Sequence, residues 1–258
     1  MTSLSPELRA FVARNPLMRR SILRFVQDAA RCLPPGSRVL DVGAAEAPYR
    51  ELFAHCEYVT ADLAATEYHD FSAHPPDIVC DITAIPLPDA SQDAILCTEV
   101  LEHVPEPDVA LSEFRRLLVP GGHLFVTTPF VWFLHEQPYD FYRYTPFSLE
   151  RLLVDAGFQD VSILPRERDI TTLVMLLERY TYVAGWTRKP VRRRVRHLIL
   201  KVLHEVVRGN RLYAGGLQPL LPVGYAAHCI APAGDVLSVL NRPPCDEKSR
   251  LPKSTPTP

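Results

Sequence analysis

The sequence predicts an α/β fold: a Rossmann-like, seven-stranded, mostly parallel sheet with helices on both faces and a helical insertion before the last strand. Three observations carry this. Short apolar runs alternate with helical patterns over residues 38–164, as in a parallel sheet covered on both faces. The run Arg38-Val39-Leu40-Asp41-Val42-Gly43-Ala44-Ala45-Glu46-Ala47 ends an apolar strand on a carboxylate and turns through small residues into a helix. Open α/β sheets bring backbone close to a ligand at such a turn. Third, Asp41, Asp62 and Asp81 fall at the tips of three successive expected strands.

Taken in order, residues 8–33 carry apolar side chains at helical spacing and stop at Pro34-Pro35-Gly36, giving an N-terminal helical segment over 1–36. Strands are expected at 38–42, 58–62, 77–81, 93–98, 123–128 and 158–164. Helices are expected at 48–54, at 109–118 before Pro120-Gly121-Gly122, and at 146–156 before Gly157. These elements make 37–169 a nucleotide-binding core. Residues 170–209 read as continuous helix, and a Gly-rich and Pro-rich stretch at 215–222 closes an insertion over 170–222. A last strand at 224–232 belongs to a closing segment, 223–240. The tail, 241–258, is rich in Pro, Lys, Ser and Thr, a composition that predicts disorder.

Composition narrows the function classes. With 258 residues, 47% hydrophobic and 22% charged, the chain has the make-up of a soluble globular protein with a sizeable core. A formal net charge of −2 argues against nucleic acid as a bulk electrostatic partner. The six cysteines are scattered, without a Cys-x-x-Cys pair, so neither a disulfide framework nor a bound metal is expected. The first residues lack a secretory pattern and no apolar run is long enough to span a bilayer, so a cytoplasmic location is expected.

Asp62 follows Gly43 at about the twenty-residue separation from which an acidic side chain accepts both ribose hydroxyls of a nucleoside. The alternative for any one of the three aspartates is a strand-end turn or a helix cap. Further runs occur in order: Cys80-Asp81-Ile82, Pro86-Leu87-Pro88-Asp89, Thr98-Glu99-Val100-Leu101-Glu102-His103-Val104 and Leu117-Leu118-Val119-Pro120-Gly121-Gly122.

On these motifs the chain resembles a class I S-adenosylmethionine-dependent methyltransferase of the methyltransferase type 11 kind, over 37–164 and the closing strand near Tyr225. The resemblance implies S-adenosyl-L-methionine as cofactor. Asp41 and the loop from Gly43 to Ala45 would hold its methionine end. Asp62, with Leu63 beside it, would take the ribose hydroxyls by charge-assisted hydrogen bonds. Asp81 would accept from the adenine amino group, the Ile82 N–H would read a ring nitrogen, and backbone around Cys97 and Thr98 would meet the ammonium. The family's second and third loop glycines are Ala45 and Ala47 here. A methyl group is tolerated where φ stays negative, so weakened fit rather than lost binding is expected.

After the fifth expected strand comes Pro129-Phe130-Val131-Trp132-Phe133-Leu134-His135-Glu136-Gln137-Pro138-Tyr139-Asp140-Phe141-Tyr142-Arg143-Tyr144-Thr145. It joins aromatic walls to His, Glu, Asp and Arg, a mixture that suits an acceptor pocket lined by Trp132, Tyr139, Tyr142 and Arg143. His135 is the candidate general base, because its ordinary pKa lies near neutrality. Asp140 would orient it or act in its place. A similar His-Glu-x-Pro-x-Asp-Phe-x-Arg-Tyr-Thr run occurs in bacterial members linked to surface-sugar or natural-product pathways. The alternative is an aromatic loop packed at the sheet edge with Arg143 paired to Asp140. Glu99, Glu102 and His103 read as residues that cap and pin a turn.

The function expected is methyl transfer to an oxygen of a small polar acceptor: a sugar, a glycolipid or a natural-product metabolite. Transfer to nitrogen or carbon of another metabolite is the first alternative, and a degenerate methyltransferase fold serving as a partner subunit is the second. The basic, amphipathic helix over 188–208 is expected to pack on its own domain with solvated arginines, or else to touch a membrane surface weakly.

Overall fold

The computed structural model describes residues 4–63, 75–167, 169–186, 190–209 and 221–233. Prolines set the first two helices. α1 (Pro6–Arg14) is capped by Ser5, whose hydroxyl accepts from Leu8 N at 3.1 Å. The single expected helix is broken at Asn15, and α2 (Pro16–Cys32) starts afresh on Pro16, which has no N–H to continue α1. α2 buries Ile22, Val26, Ala29 and Ala30, with Leu33 just past its end, against Val39, Ala94, Leu96 and Phe125 of the sheet.

The strands are β1 (Arg38–Val42), β2 (Glu57–Asp62), β3 (Ile78–Val79), β4 (Gln92–Thr98), β5 (Leu118–Pro129), β6 (Gln159–Arg166) and β7 (Gly224–Ile230). They form one seven-stranded sheet in the order β3-β2-β1-β4-β5-β7-β6. β1 to β5 pair in parallel, while β7 runs antiparallel to both β5 and β6. Alternate residues serve opposite faces. Leu40, Val42, Ile95, Leu124 and Val126 pack beneath α3 (Pro107–Leu117) and α4 (Pro146–Asp155), which contribute Ala110, Leu111, Phe114, Leu149 and Leu153. Strand order reverses between β1 and β4, so the crevice beyond their carboxyl ends is where this architecture seats a ligand.

Several elements differ from expectation. The third strand is only Ile78–Val79, because Asp77 instead accepts from Thr60 N at 2.9 Å and pairs with Arg50 at 3.0 Å. Residues expected as a helix after β1 hold only a 3₁₀ turn, Arg50–Phe53. β5 begins five residues earlier, at Leu118, which pairs with Gln92; a register shift then absorbs Pro120-Gly121-Gly122 before His123 meets Ala94.

The insertion is not continuous helix. α5 (Asp169–Val183) ends where Gly185 takes φ 71 and donates to the Tyr182 carbonyl at 3.0 Å, and α6 (Pro190–Gly209) follows. Arg196 ties the two, donating to Thr181 Oγ1 at 2.9 Å. α6 turns Leu200 inward but leaves Val191, Val195, Leu198 and Val202 exposed, so the expected packing of its apolar stripe on the domain is not what forms. No helix among the described residues is long and apolar enough to cross a membrane. The tail over 241–258 and most of the 215–222 stretch lie outside the described residues.

Candidate active site

The loop after β1 is held from both sides. Gly43 N donates to the Ala61 carbonyl at 2.8 Å, and Gly43 itself takes φ 65. A Cβ there would overlap the Val100 side chain, so only glycine keeps this backbone bare. Ala45 and Ala47 take φ 47 and 49. The expectation that their φ stays negative is therefore corrected: both alanines occupy the left-handed region that glycine adopts at lower cost.

Asp62, at the end of β2, organises this loop. Its Oδ2 accepts from Ala45 N at 2.8 Å and its Oδ1 from Leu63 N at 2.8 Å. Asp41 is buried below the loop; Tyr58 donates its hydroxyl to Oδ2, and Oδ1 has no partner among the described residues. Burial, with the Asp62 charge nearby, outweighs that donation and pushes the Asp41 carboxyl up to about 7. Asp81 is exposed, and its Oδ1 accepts from Thr83 N at 2.9 Å and Thr83 Oγ1 at 2.7 Å in a local turn, while Ile82 beside it is buried. Thr98 ends β4 in register with Thr127 of β5.

The second half of the site is residues 130–145, docked on the turn after β4. Phe141 N and Tyr142 N donate to the Glu102 carbonyl at 2.8 and 3.2 Å, and Tyr144 Oη donates to the Leu101 carbonyl at 2.9 Å. Within it, Asp140 accepts from His135 N at 3.0 Å, faces His135 Nδ1 at 3.2 Å and takes both Arg143 amino groups at 2.6 and 2.7 Å. Burial raises its pKa, but the Arg143 donation, the His135 N–H and the neighbouring charges outweigh burial and bring it to about 2. A carboxylate held so low is a poor proton acceptor and a good orienting group. Burial and the adjacent His103 hold His135 below its ordinary pKa, so its imidazole is neutral at neutral pH.

Tyr142 gives its hydroxyl to the Pro105 carbonyl at 2.9 Å, and Arg143 Nη2 also reaches the Phe133 carbonyl at 3.1 Å. Trp132 lies edge-on to Phe133 with ring centroids 6.0 Å apart. Tyr139 is an exposed ring that contributes its backbone carbonyl, 2.8 Å from His103 Nδ1. The structure thus joins His135, Asp140 and Arg143 in one network, and adds two groups that sequence reading set aside as turn pins. His103 stacks edge-on against His135 at 4.7 Å, and Glu102 lies fully buried beneath them. Burial, reinforced by the Glu99 charge, holds the Glu102 carboxyl well above the carboxylate range. Arg166, at the end of β6, was also missed: its Nη2 donates to Glu99 Oε1 at 2.8 Å and to the Thr128 carbonyl at 3.1 Å.

Residues 40–126 match the family described as "Methyltransferase domain". The chain carries a class I S-adenosylmethionine-dependent methyltransferase domain. A ubiquinone/menaquinone biosynthesis C-methyltransferase, UbiE, of Burkholderia multivorans is 29% identical over 123 residues, 43% of this chain and 51% of that protein. A ubiquinone biosynthesis O-methyltransferase of Xanthomonas axonopodis pv. citri is 32% identical over 127 residues, 45% of this chain and 52% of that protein. The chain thus spans about half the length of the curated relatives it matches. Among solved structures, an S-adenosylmethionine-dependent methyltransferase from Archaeoglobus fulgidus superposes with TM-score 0.52 at 19% identity, covering 86% of this chain and 94% of that one. The [4+2]-cyclase SpnF superposes with TM-score 0.50 at 22% identity, covering 81% and 80%. These two likenesses concern the fold alone.

The cofactor of this domain is S-adenosyl-L-methionine, and the residues present suit it. Behind a bare-backbone loop backed by Val100, the carboxylates of Asp62 at a strand end and of the exposed Asp81 supply acceptors for the hydroxyls and amine of an adenosine.

Proposed function

We propose that this chain is a methyltransferase that moves the methyl group of S-adenosylmethionine to an oxygen of a small polar acceptor, such as a sugar, a glycolipid or a natural-product metabolite. The single observation that carries the oxygen assignment is the imidazole pair, His103 and His135, 4.7 Å apart over the carboxyl ends of β4 and β5. The cofactor supplies an electrophilic methyl group on a sulfonium that leaves readily. The loop from Gly43 to Ala45 with Asp41 and Thr98 would hold its amino-acid end, Asp62 and Leu63 its ribose, and Asp81 and Ile82 its adenine.

The remaining work is alignment, which supplies much of the acceleration in such a transfer. Residues 130–145, braced on the turn after β4, exclude water, with Trp132, Tyr139, Tyr142 and Arg143 at the acceptor side. A hydroxyl must lose its proton as it is methylated. His135 is neutral, its Nδ1 is fixed by Asp140, and Nε2 is the atom that receives that proton in the metal-free chain. Asp140 acts through His135 as a positioning residue.

Two observations keep other readings in view. The relatives include C-methyltransferases as well as O-methyltransferases, and a carbon acceptor would need the same alignment. The left-handed Ala45 and Ala47 raise the cost of the cofactor loop, as in a fold retained for a partner role. The exposed apolar stripe of α6, flanked by Arg192, Arg193 and Arg194, favours an anionic membrane surface as the place where a lipid-linked acceptor is met in the cytoplasm. Flotation with anionic against neutral vesicles tests that contact.

Calorimetry tests the core of the proposal. S-adenosylmethionine binds the wild-type chain, and Asp62→Ala weakens binding by about 1–3 kcal/mol, the scale of lost charged hydrogen bonds. A screen of labelled donor against acceptor fractions then identifies the methylated atom. Absence of both donor binding and labelled product would favour the partner-subunit reading.

A further inference from the structure

Three side chains above β4 and β5 are used only in part by methyl transfer. Glu102 is 0% exposed, and neither carboxylate oxygen meets a side-chain hydrogen-bond donor among the described residues. Its Oε1 lies 3.7 Å from His103 Nε2. Glu102, His103 and His135 each offer one ligand atom, and these atoms lie within 4.8 Å of one another. A fully buried carboxyl whose oxygens meet no side-chain donor is costly to build into a fold, and a bound cation is one way to satisfy it. Among the described residues no side-chain donor reaches it.

Both imidazoles are preset for coordination. His103 Nδ1 sits 2.8 Å from the Tyr139 carbonyl oxygen, which can only accept, so Nδ1 carries the proton and Nε2 the free lone pair. His135 Nδ1 faces the Asp140 carboxylate at 3.2 Å, which fixes the same tautomer. Metal-binding histidines are held in this way, the outer N–H on a carbonyl or carboxylate. The Arg143 fork on Asp140 then anchors the outer layer.

We propose that Glu102, His103 and His135 bind one divalent transition-metal cation. Two imidazole nitrogens and one carboxylate oxygen suit manganese, iron, cobalt or zinc better than magnesium or calcium, which prefer all-oxygen sites. Donors bound at about 2.0–2.2 Å from a cation sit closer together than these do, and small side-chain rotations close the triangle. The earlier expectation of no metal rested on cysteine spacing, and this donor set contains no cysteine. Three protein ligands leave coordination positions for water or for oxygen atoms of the acceptor. That last step rests on the function proposed above; the cation site itself does not.

The test uses the purified, untagged full chain, stripped with chelator and dialysed against Co²⁺ or Mn²⁺, with bound metal measured by elemental analysis. One equivalent binds, and Co²⁺ gives a visible absorption band. Glu102→Gln, which keeps the buried volume and removes the charge, and His135→Ala both abolish stoichiometric binding. Asp140→Asn weakens it by about 10–100-fold, as loss of an outer-layer partner does. His55→Ala, outside the cluster, binds as wild type. Thermal melts of each variant establish that it is folded. Metal content well under one equivalent in the wild type, or unchanged binding by folded Glu102→Gln and His135→Ala, overturns the site. Donor calorimetry on the same samples separates the two ideas. Donor binding without metal sinks the cation site alone, and metal binding without donor sinks the methyltransferase reading alone.

Discussion

At the scale of single residues, the cofactor loop and the Asp140 hub make opposite statements about stability. Ala45 and Ala47 sit at φ 47 and 49, where an L side chain costs about 1–2 kcal/mol and glycine little. Ala47→Gly is therefore expected to raise the unfolding free energy by about 1 kcal/mol, read by urea titration, although glycine loosens the unfolded chain. A loss would mean that the Ala47 methyl packs more than its backbone strains. Asp140 works the other way. Its carboxyl lies at about 2, below the ordinary 3.8, so the folded state binds fewer protons than the unfolded. Its contribution is present above pH 3.8 and is lost as pH falls toward 2. Asp140→Asn should cost about 2 kcal/mol at pH 7, the linkage value of such a shift, and the gap to wild type should close below pH 3. An offset that persists undiminished in acid would assign the loss to packing rather than to charge.

At the scale of elements, β5 and β7 are joined by more than their ladder. His123 Nδ1 lies 3.0 Å from His228 Nε2, and His228 stacks on Phe125 with ring centroids 4.6 Å apart. Burial lowers the pKa of both, and for His228 the neighbouring His123 adds to it. Folded pKa values below 6.5 mean that the unfolded chain binds more protons in mild acid, so stability rises with pH up to about that value and falls below it. Melting temperature should drop between pH 7.5 and 5.5, and His228→Gln should flatten that slope in part, since His135 titrates in the same direction. An unchanged slope would remove the pair from the account. Element boundaries were legible where one residue dictates them, as Pro146 and Gly157 do. Pro16 and Gly185 carried the same kind of signal but were overridden by the amphipathic pattern running through them. The start of β5 was not legible, because its pairing with β4 is non-local and the Pro-Gly-Gly run resembles a turn.

At the scale of the molecule, strand count and the parallel core followed from alternation, and right-handed crossovers leave little freedom in ordering five parallel strands. The place of β7 between β5 and β6 is set by long-range pairing that no local pattern encodes. The candidate site shows the same division. Sequence put three aspartates at strand ends, but it could not show that Asp41 lies buried under the loop with Tyr58, or that Glu102 and His103 meet His135 from a segment over thirty residues distant. Because both halves of the site rest on the carboxyl edge of the sheet, ligand binding should be felt by the whole fold. Donor at a hundred times its Kd adds about 2.7 kcal/mol to stability. For a chain of this size that is a rise of about 5–10 °C in melting temperature. Gly43→Ala should lower the starting temperature and shrink the donor-induced rise, because its Cβ overlaps Val100 at a left-handed φ of 65. Trimming the neighbour separates the two causes. In the double variant Gly43→Ala with Val100→Ala, relief of the overlap should return part of the donor-induced rise, leaving only the backbone cost. A full donor-induced rise in Gly43→Ala alone would show that the donor does not sit on this loop, and its seat would have to be sought elsewhere along the sheet edge.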